Sequence, residues 1–200
     1  MDKLGPRHRM CRCVGQPICG RPNCPSVKRP YPPGQHGRGR KRISEYQVRL
    51  LEKQKLRAIY GVGERQMRIY YERASRKRGV TGEELLNQLE RRLDAVVLRM
   101  GWALTQRQAR QLVSHGHVRV DGRRVNVPSY QVRPGQTIEL SEKARNFVFV
   151  REAAELAPEP PPYLYVNREQ FQGTLTRMPE RSEIPLPVPI EERLIIEYYS

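Results

Sequence analysis

Thr105-Gln106-Arg107-Gln108-Ala109-Arg110-Gln111-Leu112-Val113-Ser114-His115-Gly116-His117-Val118-Arg119-Val120-Asp121-Gly122-Arg123-Arg124-Val125-Asn126 changes its period half-way. The first half repeats at 3.6 residues and the second at two, so a helix feeds a hairpin. Thr105 and Gln108 have capping-box spacing. Ala109, Leu112 and Val113 form a narrow apolar face, and Gly116 ends the helix. Val118-Arg119-Val120 alternates as a strand, Asp121-Gly122 is a two-residue type I′ turn, and Arg123–Val127 is the partner strand. Opposite the apolar face lie Arg107, Arg110, Gln111 and Ser114, at i, i+3, i+4 and i+7. His115 and His117 follow in the turn, with Arg119, Arg123 and Arg124 on the hairpin. Guanidinium forks suit bidentate contact with phosphate, and imidazoles stack on or hydrogen-bond to nucleic acid. Their concentration on one unit favours nucleic-acid contact over plain solvation.

The whole chain agrees with that reading. Its 200 residues carry 37 Lys+Arg and 21 Asp+Glu, a net charge of +16. Residues 1–42 hold eleven bases and one acid, and residues 152–200 hold four bases and nine acids. A basic body with an acidic final quarter points to phosphate in front and to protein or solvent behind. No apolar run approaches the ~20 residues of a bilayer span, and residues 1–5 contain no hydrophobic signal core. Membrane and secreted readings are therefore set aside.

Upstream, residues 1–42 hold seven of the 17 prolines and six of the 15 glycines, which reads as an extended basic arm ending in Arg38-Gly39-Arg40-Lys41-Arg42. Its four cysteines, Cys11, Cys13, Cys19 and Cys24, can wrap a tetrahedral metal on a short Gly/Pro-rich loop. Structural Zn²⁺ is the favoured reading, with free thiols and an iron–sulfur cluster as alternatives. His8 is a reserve ligand, or else a histidine facing solvent or phosphate. Three helices follow. The first is capped at Ser44…Gln47, with Ile43, Tyr46, Leu50, Leu51 and Ile59 as its apolar side and Arg49, Lys53 and Arg57 as a basic stripe. The second repeats Met67, Tyr70, Tyr71 and Ala74 as core, carries Arg65 and Arg68, and ends at Arg76-Lys77-Arg78-Gly79. The third starts at a Thr81…Glu84 box, and Asp94 is expected to cap another helix. Downstream, strands are expected at 137–140, 146–150, Leu164–Val166 and Gly173–Arg177. Ala157–Pro162 is expected to be a stiff linker.

Several motifs resemble the S4 family of ribosomal proteins: Arg92-Leu93-Asp94, Gln108-Ala109-Arg110-Gln111-Leu112-Val113, His115-Gly116-His117 and Val120-Asp121-Gly122-Arg123. Tyr31-Pro32-Pro33-Gly34-Gln35-His36-Gly37, Val48-Arg49-Leu50…Glu52-Lys53-Gln54-Lys55-Leu56 and Ile195-Ile196-Glu197-Tyr198-Tyr199-Ser200 are similar too. They run in family order from about residue 29 to residue 200. Thr105-Gln106-Arg107 departs from the family's usual Ser-Arg-Arg, and Asp121-Gly122 from its Asn-Gly. Cys11-Arg12-Cys13 is tighter than the usual Cys-x-x-Cys.

The fold class is thus α+β, in three parts. Residues 1–42 form the arm with its cysteine loop. Residues 43–90 form an all-helical domain completed by 185–200, and residues 91–184 form a helix-plus-antiparallel-sheet RNA-binding module. The resemblance implies a cytoplasmic, non-enzymatic protein, monomeric within the small ribosomal subunit. It would bind 16S-class rRNA early in assembly, through the residues named above together with Arg38, Arg40, Lys41 and Arg42. It also implies contact with ribosomal protein S5, a place beside mRNA where it enters the subunit, an influence on decoding accuracy and repression of its own mRNA. Glu191, Glu192 and Glu197 are the expected protein-interface acids. An RNA-modifying enzyme built on the same module would need a large catalytic domain, and a zinc-dependent DNA-binding regulator would need a finger helix or a dimerisation element. The sequence offers neither.

Overall fold

Ser44 stops the arm and starts the longest helix: its hydroxyl accepts the Gln47 backbone N–H at 3.2 Å. The computed structural model describes residues 8–21, 23–39 and 42–200, and Arg40 and Lys41 fall outside the described residues. The helices are α1 (Arg9–Val14), α2 (Pro25–Lys28), α3 (Glu45–Tyr60), α4 (Glu64–Ser75), α5 (Thr81–Glu90), α6 (Leu93–Arg99) and α7 (Gln106–Ser114). Strands β1 (Val118–Val120), β2 (Arg123–Arg124) and β3 (Thr137–Leu140) follow, then α8 (Glu142–Arg145), α9 (Val148–Leu156), β4 (Leu164–Asn167), β5 (Gln172–Leu175) and α10 (Glu192–Tyr199). The chain divides into two units, residues 1–85 with 186–200 and residues 86–185.

In the first unit α3 packs against α1 and α10. Its buried positions are Glu52, Lys53, Leu56 and Tyr60, whereas Ile43 and Tyr46 are exposed. The apolar side read from local periodicity is therefore displaced, and the reason lies far along the chain. Helix α10 buries Ile195 and lays Tyr198 and Tyr199 beside Lys53, whose Nζ sits 4.1 and 5.8 Å from the two ring centroids. Helix α4 buries Met67, Tyr70 and Ala74 as the spacing predicts, and Tyr71 stacks on Tyr199 at 4.8 Å. Helix α5 opens one residue early, with Glu84 N–H on the Val80 carbonyl.

The second unit is built on the antiparallel sheet β2-β1-β3-β5-β4. Val118, Val120, Ile138 and Leu140 alternate inward onto a core completed by Leu93, Val96, Val97, Trp102, Ala109, Leu112, Val113, Tyr163 and Leu175. Asp121 and Gly122 have φ of 50° and 76°, the turn that the Asp-Gly pair predicts. Asp94 does not cap α6. It lies inside the first turn, fully buried, and accepts Arg92 Nε at 2.9 Å and the same guanidinium's terminal nitrogen at 2.7 Å. Glu90, also buried, accepts the Tyr163 hydroxyl at 2.7 Å and pairs with Arg99. The strand expected at 146–150 is instead the start of α9. Phe147-Val148-Phe149-Val150 mimics a period of two, but Val150 and Ala153 are buried at i, i+3, a helical interval. Among the described residues no helix is long and apolar enough to cross a membrane.

Candidate nucleic-acid interface and metal centre

Helix α7 is set by the cap the sequence announced. Thr105 Oγ1 accepts Gln108 N–H at 3.3 Å, while Gln108 Oε1 reaches back to accept Leu104 N–H at 3.2 Å. Ala109, Leu112 and Val113 are buried, and Arg110, Gln111, Ser114 and His115 are exposed, with Arg107 half-buried. On the hairpin Arg119, Arg123 and Arg124 are exposed. Arg119 stands opposite Arg124 in the β1–β2 register, and Arg123 opposite Val120. The Arg124 guanidinium donates to the His115 carbonyl at 3.1 Å and lies directly over Gly116, where any Cβ would collide with it at 2.0 Å. The helix end and the hairpin therefore present one continuous cationic edge. His117 packs edge-on against Phe147 at 5.1 Å. Its imidazole is held below the usual range by burial first, and then by the charges of His115, Lys143 and Arg124. Lys143 is the member of this cluster the sequence reading missed, since it belongs to α8. Asp121 accepts Thr137 N–H at 2.9 Å and Gln136 Nε2 at 2.7 Å, so the acid pins the turn to β3.

The basic stripe of α3 behaves otherwise. Lys53 is 2% exposed and donates to Glu64 Oε2 at 2.8 Å, and Arg57 donates to the same oxygen at 2.7 Å. Arg49 pairs with Glu197 at 3.0 Å and Glu45 at 3.5 Å. These three bases were expected to face phosphate, and each is paired with a carboxylate of its own unit, Lys53 buried and Arg49 and Arg57 half-buried. Glu197, expected at a protein interface, pairs with Arg49 and Arg193. Glu191 is exposed, with its backbone N–H donated to Glu52, and Glu192 is half-buried. Arg65 and Arg68 are exposed on α4, Arg68 lying 3.9 Å from Glu72. Arg38 and Arg42 are exposed in the arm.

The cysteine reading needs one correction. His8, Cys11, Cys19 and Cys24 bring their ligand atoms within 4.8 Å of one another, and Cys13 is not in the group. Cys11 and Cys13 share α1, and two residues on a helix point about 200° apart, so both cannot face one centre. His8, three residues before Cys11, returns to the same side. That His-x-x-Cys interval was the available signal. His8 Nδ1 lies 3.7 Å from Cys19 Sγ and 3.6 Å from Cys24 Sγ. Zinc–sulfur bonds of ~2.3 Å and zinc–nitrogen bonds of ~2.0 Å give tetrahedral edges of about 3.5–3.8 Å, so three thiolates and an imidazole fit Zn²⁺ here. Burial and the neighbouring sulfurs push the Cys11 thiol up to about 12 against a Cys19 backbone hydrogen bond. At Cys24 burial acts the same way, but hydrogen bonds from Ser26 outweigh it and hold the thiol below its usual range. A cation at the centre would reverse the cost at Cys11 by stabilising the thiolate.

Two family profiles match the chain in succession. The profile described as Ribosomal protein S4/S9 N-terminal domain matches residues 2–90, and that described as S4 domain matches residues 91–138. The protein named small ribosomal subunit protein uS4 of Thermus thermophilus is 50% identical over 206 residues, spanning 98% of both chains. Those of Geobacillus kaustophilus and Dictyoglomus turgidum are 53% and 48% identical over 197 and 204 residues, covering 98% of this chain and 97% of theirs. Consecutive family profiles, and relatives that match from end to end at about half of all positions, leave one assignment: the chain belongs to the ribosomal protein S4 family.

Proposed function

We propose that this protein is a structural, non-enzymatic constituent of the small ribosomal subunit that binds 16S-class rRNA early in assembly and orders the 5′ domain. The observation that carries the reading is end-to-end identity of about half with proteins named small ribosomal subunit protein uS4. The exposed edge of Arg110, Gln111, Ser114, His115, Arg119, Arg123 and Arg124 supports it physically, because double-stranded RNA is read mainly through its backbone and 2′-hydroxyls. Arg38, Arg42, Arg65 and Arg68 add exposed positive charge on the other unit. In this reading residues 1–42 are an arm, 43–90 with 185–200 a helical domain, and 91–184 the RNA-binding module. The exposed Glu191 faces ribosomal protein S5, mRNA passes nearby, and the protein acts in the cytoplasm.

His8, Cys11, Cys19 and Cys24 would hold a structural Zn²⁺ with no open position for a water. Iron–sulfur clusters are typically held by four cysteines, and the group here supplies three. Binding to a transcript of the 5′ domain, measured across salt concentrations, tests the rRNA reading. Several phosphate contacts require log K to fall against log[salt] with a slope of several units, and a slope near zero would sink it. Elemental analysis tests the metal: one zinc per chain is expected in wild type and in Cys13→Ser, and none in Cys19→Ser.

A further inference from the structure

A second cationic feature grows directly from the metal-bearing helix. Arg12 lies on α1 beside Cys11, and its side chain crosses to a loop nineteen and twenty residues away. There Nε donates to the Tyr31 carbonyl at 3.2 Å, and a terminal nitrogen lies 3.5 Å from the Pro32 carbonyl. The Arg12 guanidinium carbon is 5.2 Å from the Tyr31 ring centroid and that of Arg38 is 5.0 Å away, within cation–π range. Arg38 also donates to the Tyr31 hydroxyl at 3.0 Å. The loop is closed on itself by Gly37 N–H to the Gly34 carbonyl and Gly39 N–H to the His36 carbonyl. At Gly37 a Cβ would come within 2.0 Å of the Pro32 oxygen, the acceptor that Arg12 approaches. Neither Arg12 nor Arg38 has an ion-pair partner among the described residues. Two guanidinia thus converge on one tyrosine, on a loop that also carries the exposed His36, with no acid paired to either among the described residues.

We propose that Arg12 is a positioning residue that couples the metal centre to an RNA phosphate-binding loop formed by Tyr31, His36 and Arg38. The proposal rests on the rRNA and metal readings above. Metal held by His8, Cys11, Cys19 and Cys24 fixes α1. Helix α1 fixes the Arg12 fork, and the fork fixes the Tyr31 ring and the two carbonyls on which the loop is folded. Metal and RNA then favour each other, and the coupling is reciprocal. A lysine cannot substitute, because a point charge lacks the planar fork that serves both carbonyls and stacks on the ring.

The test uses the full chain, zinc-loaded and chelator-stripped, with a 5′-domain rRNA transcript at one salt concentration. Stripping zinc should weaken wild-type binding by about fivefold or more. Arg12→Ala should keep one zinc per chain by elemental analysis, bind RNA as weakly as the stripped wild type, and lose the difference between its own loaded and stripped forms. Arg12→Lys should behave like Arg12→Ala despite its charge. In parallel, zinc removal should speed amide exchange at Gly37 and Gly39 in the wild type, and both amides should exchange fast in Arg12→Ala whether or not zinc is present. Equal weakening by Arg12→Ala in both forms would make Arg12 one more phosphate contact and overturn the proposal. Loss of zinc from Arg12→Ala would overturn it too, by making Arg12 part of the centre itself. A wild type whose salt-sensitive rRNA binding ignores zinc defeats the coupling and leaves the rRNA reading standing, whereas a wild type without rRNA affinity defeats both.

Discussion

Helices α3 and α7 carry the same signal and turn it in opposite directions. Each places basic side chains at helical spacing beside an apolar set. In α7 the apolar set of Ala109, Leu112 and Val113 is buried and Arg110 is exposed. In α3 the base at the centre of the stripe is the buried residue, while Ile43 and Tyr46 stand outside. The difference is the partner. Helix α7 packs against α6 and shares one core with the apolar strand residues Val118, Val120, Ile138 and Leu140. Helix α3 faces acids and tyrosines, Glu64 and then Glu197, Tyr198 and Tyr199, which can satisfy a cation out of water. A basic stripe reads as a phosphate surface only when no complementary surface is folded onto it.

The strongest way to break the comparison is at Lys53. Lys53→Ala should lower unfolding stability by about 2 kcal/mol in denaturant titrations. That is below the cost for a fully buried pair because Glu64 is half exposed. Its rRNA affinity per folded molecule should not change. Weakened RNA binding with an unmoved midpoint would put Lys53 back on the phosphate face. The converse test is Arg119→Ala with Arg123→Ala, both on the exposed edge. Stability should stay within about 0.5 kcal/mol of wild type. The slope of log K against log[salt] should fall by roughly one for each substitution. A cooperative loss of structure would show that this edge is packed rather than presented.

The smallest effect concerns pH. At Glu64 burial raises the carboxyl, but hydrogen bonds from Lys53 and Tyr199, and the charges of Lys53 and Arg57, outweigh it and hold the group below the usual carboxylate range. Such a group stabilises the fold above its unfolded-state pKa, and the contribution is lost as pH falls through the lower folded value. Glu64→Gln should therefore destabilise the protein near neutral pH by under about 1 kcal/mol, and should converge with wild type at strongly acid pH. Parallel stability curves for the two proteins across that range would remove the Lys53–Glu64 pair from the account.

Local chemistry was legible and distant chemistry was not. Ser44 and Thr105 each cap a backbone N–H three residues on, Gly116 and Asp121-Gly122 take the positive φ of a local turn, and each stands where its spacing says it should. Asp94 misled because a capping residue and a buried partner for Arg92 look alike in one dimension. Phe147–Val150 misled because a short β-branched and aromatic run has no period of its own until its packing surface is known. At the metal centre the type of residue was readable and the set was not. Cys13 is excluded by the rotation of a six-residue helix, which a loop reading of residues 8–14 leaves out. Lys53 needed Tyr198 and Tyr199, nearly a hundred and fifty positions away.

The first unit is written in two pieces, with residues 86–185 between them. Synthesis at about 5–20 residues per second spends roughly 5–20 s on that interval. During it the arm, α3 and α4 have left the peptidyl-transferase centre and α10 does not yet exist. Over those seconds Lys53 has no tyrosine rings above it and Arg49 no Glu197, so the nascent chain carries more uncovered positive charge than the finished protein. The second unit, contiguous in sequence, is free to finish first. The order of translation therefore makes the most cationic state of this molecule a transient one, closed when the final acidic helix arrives.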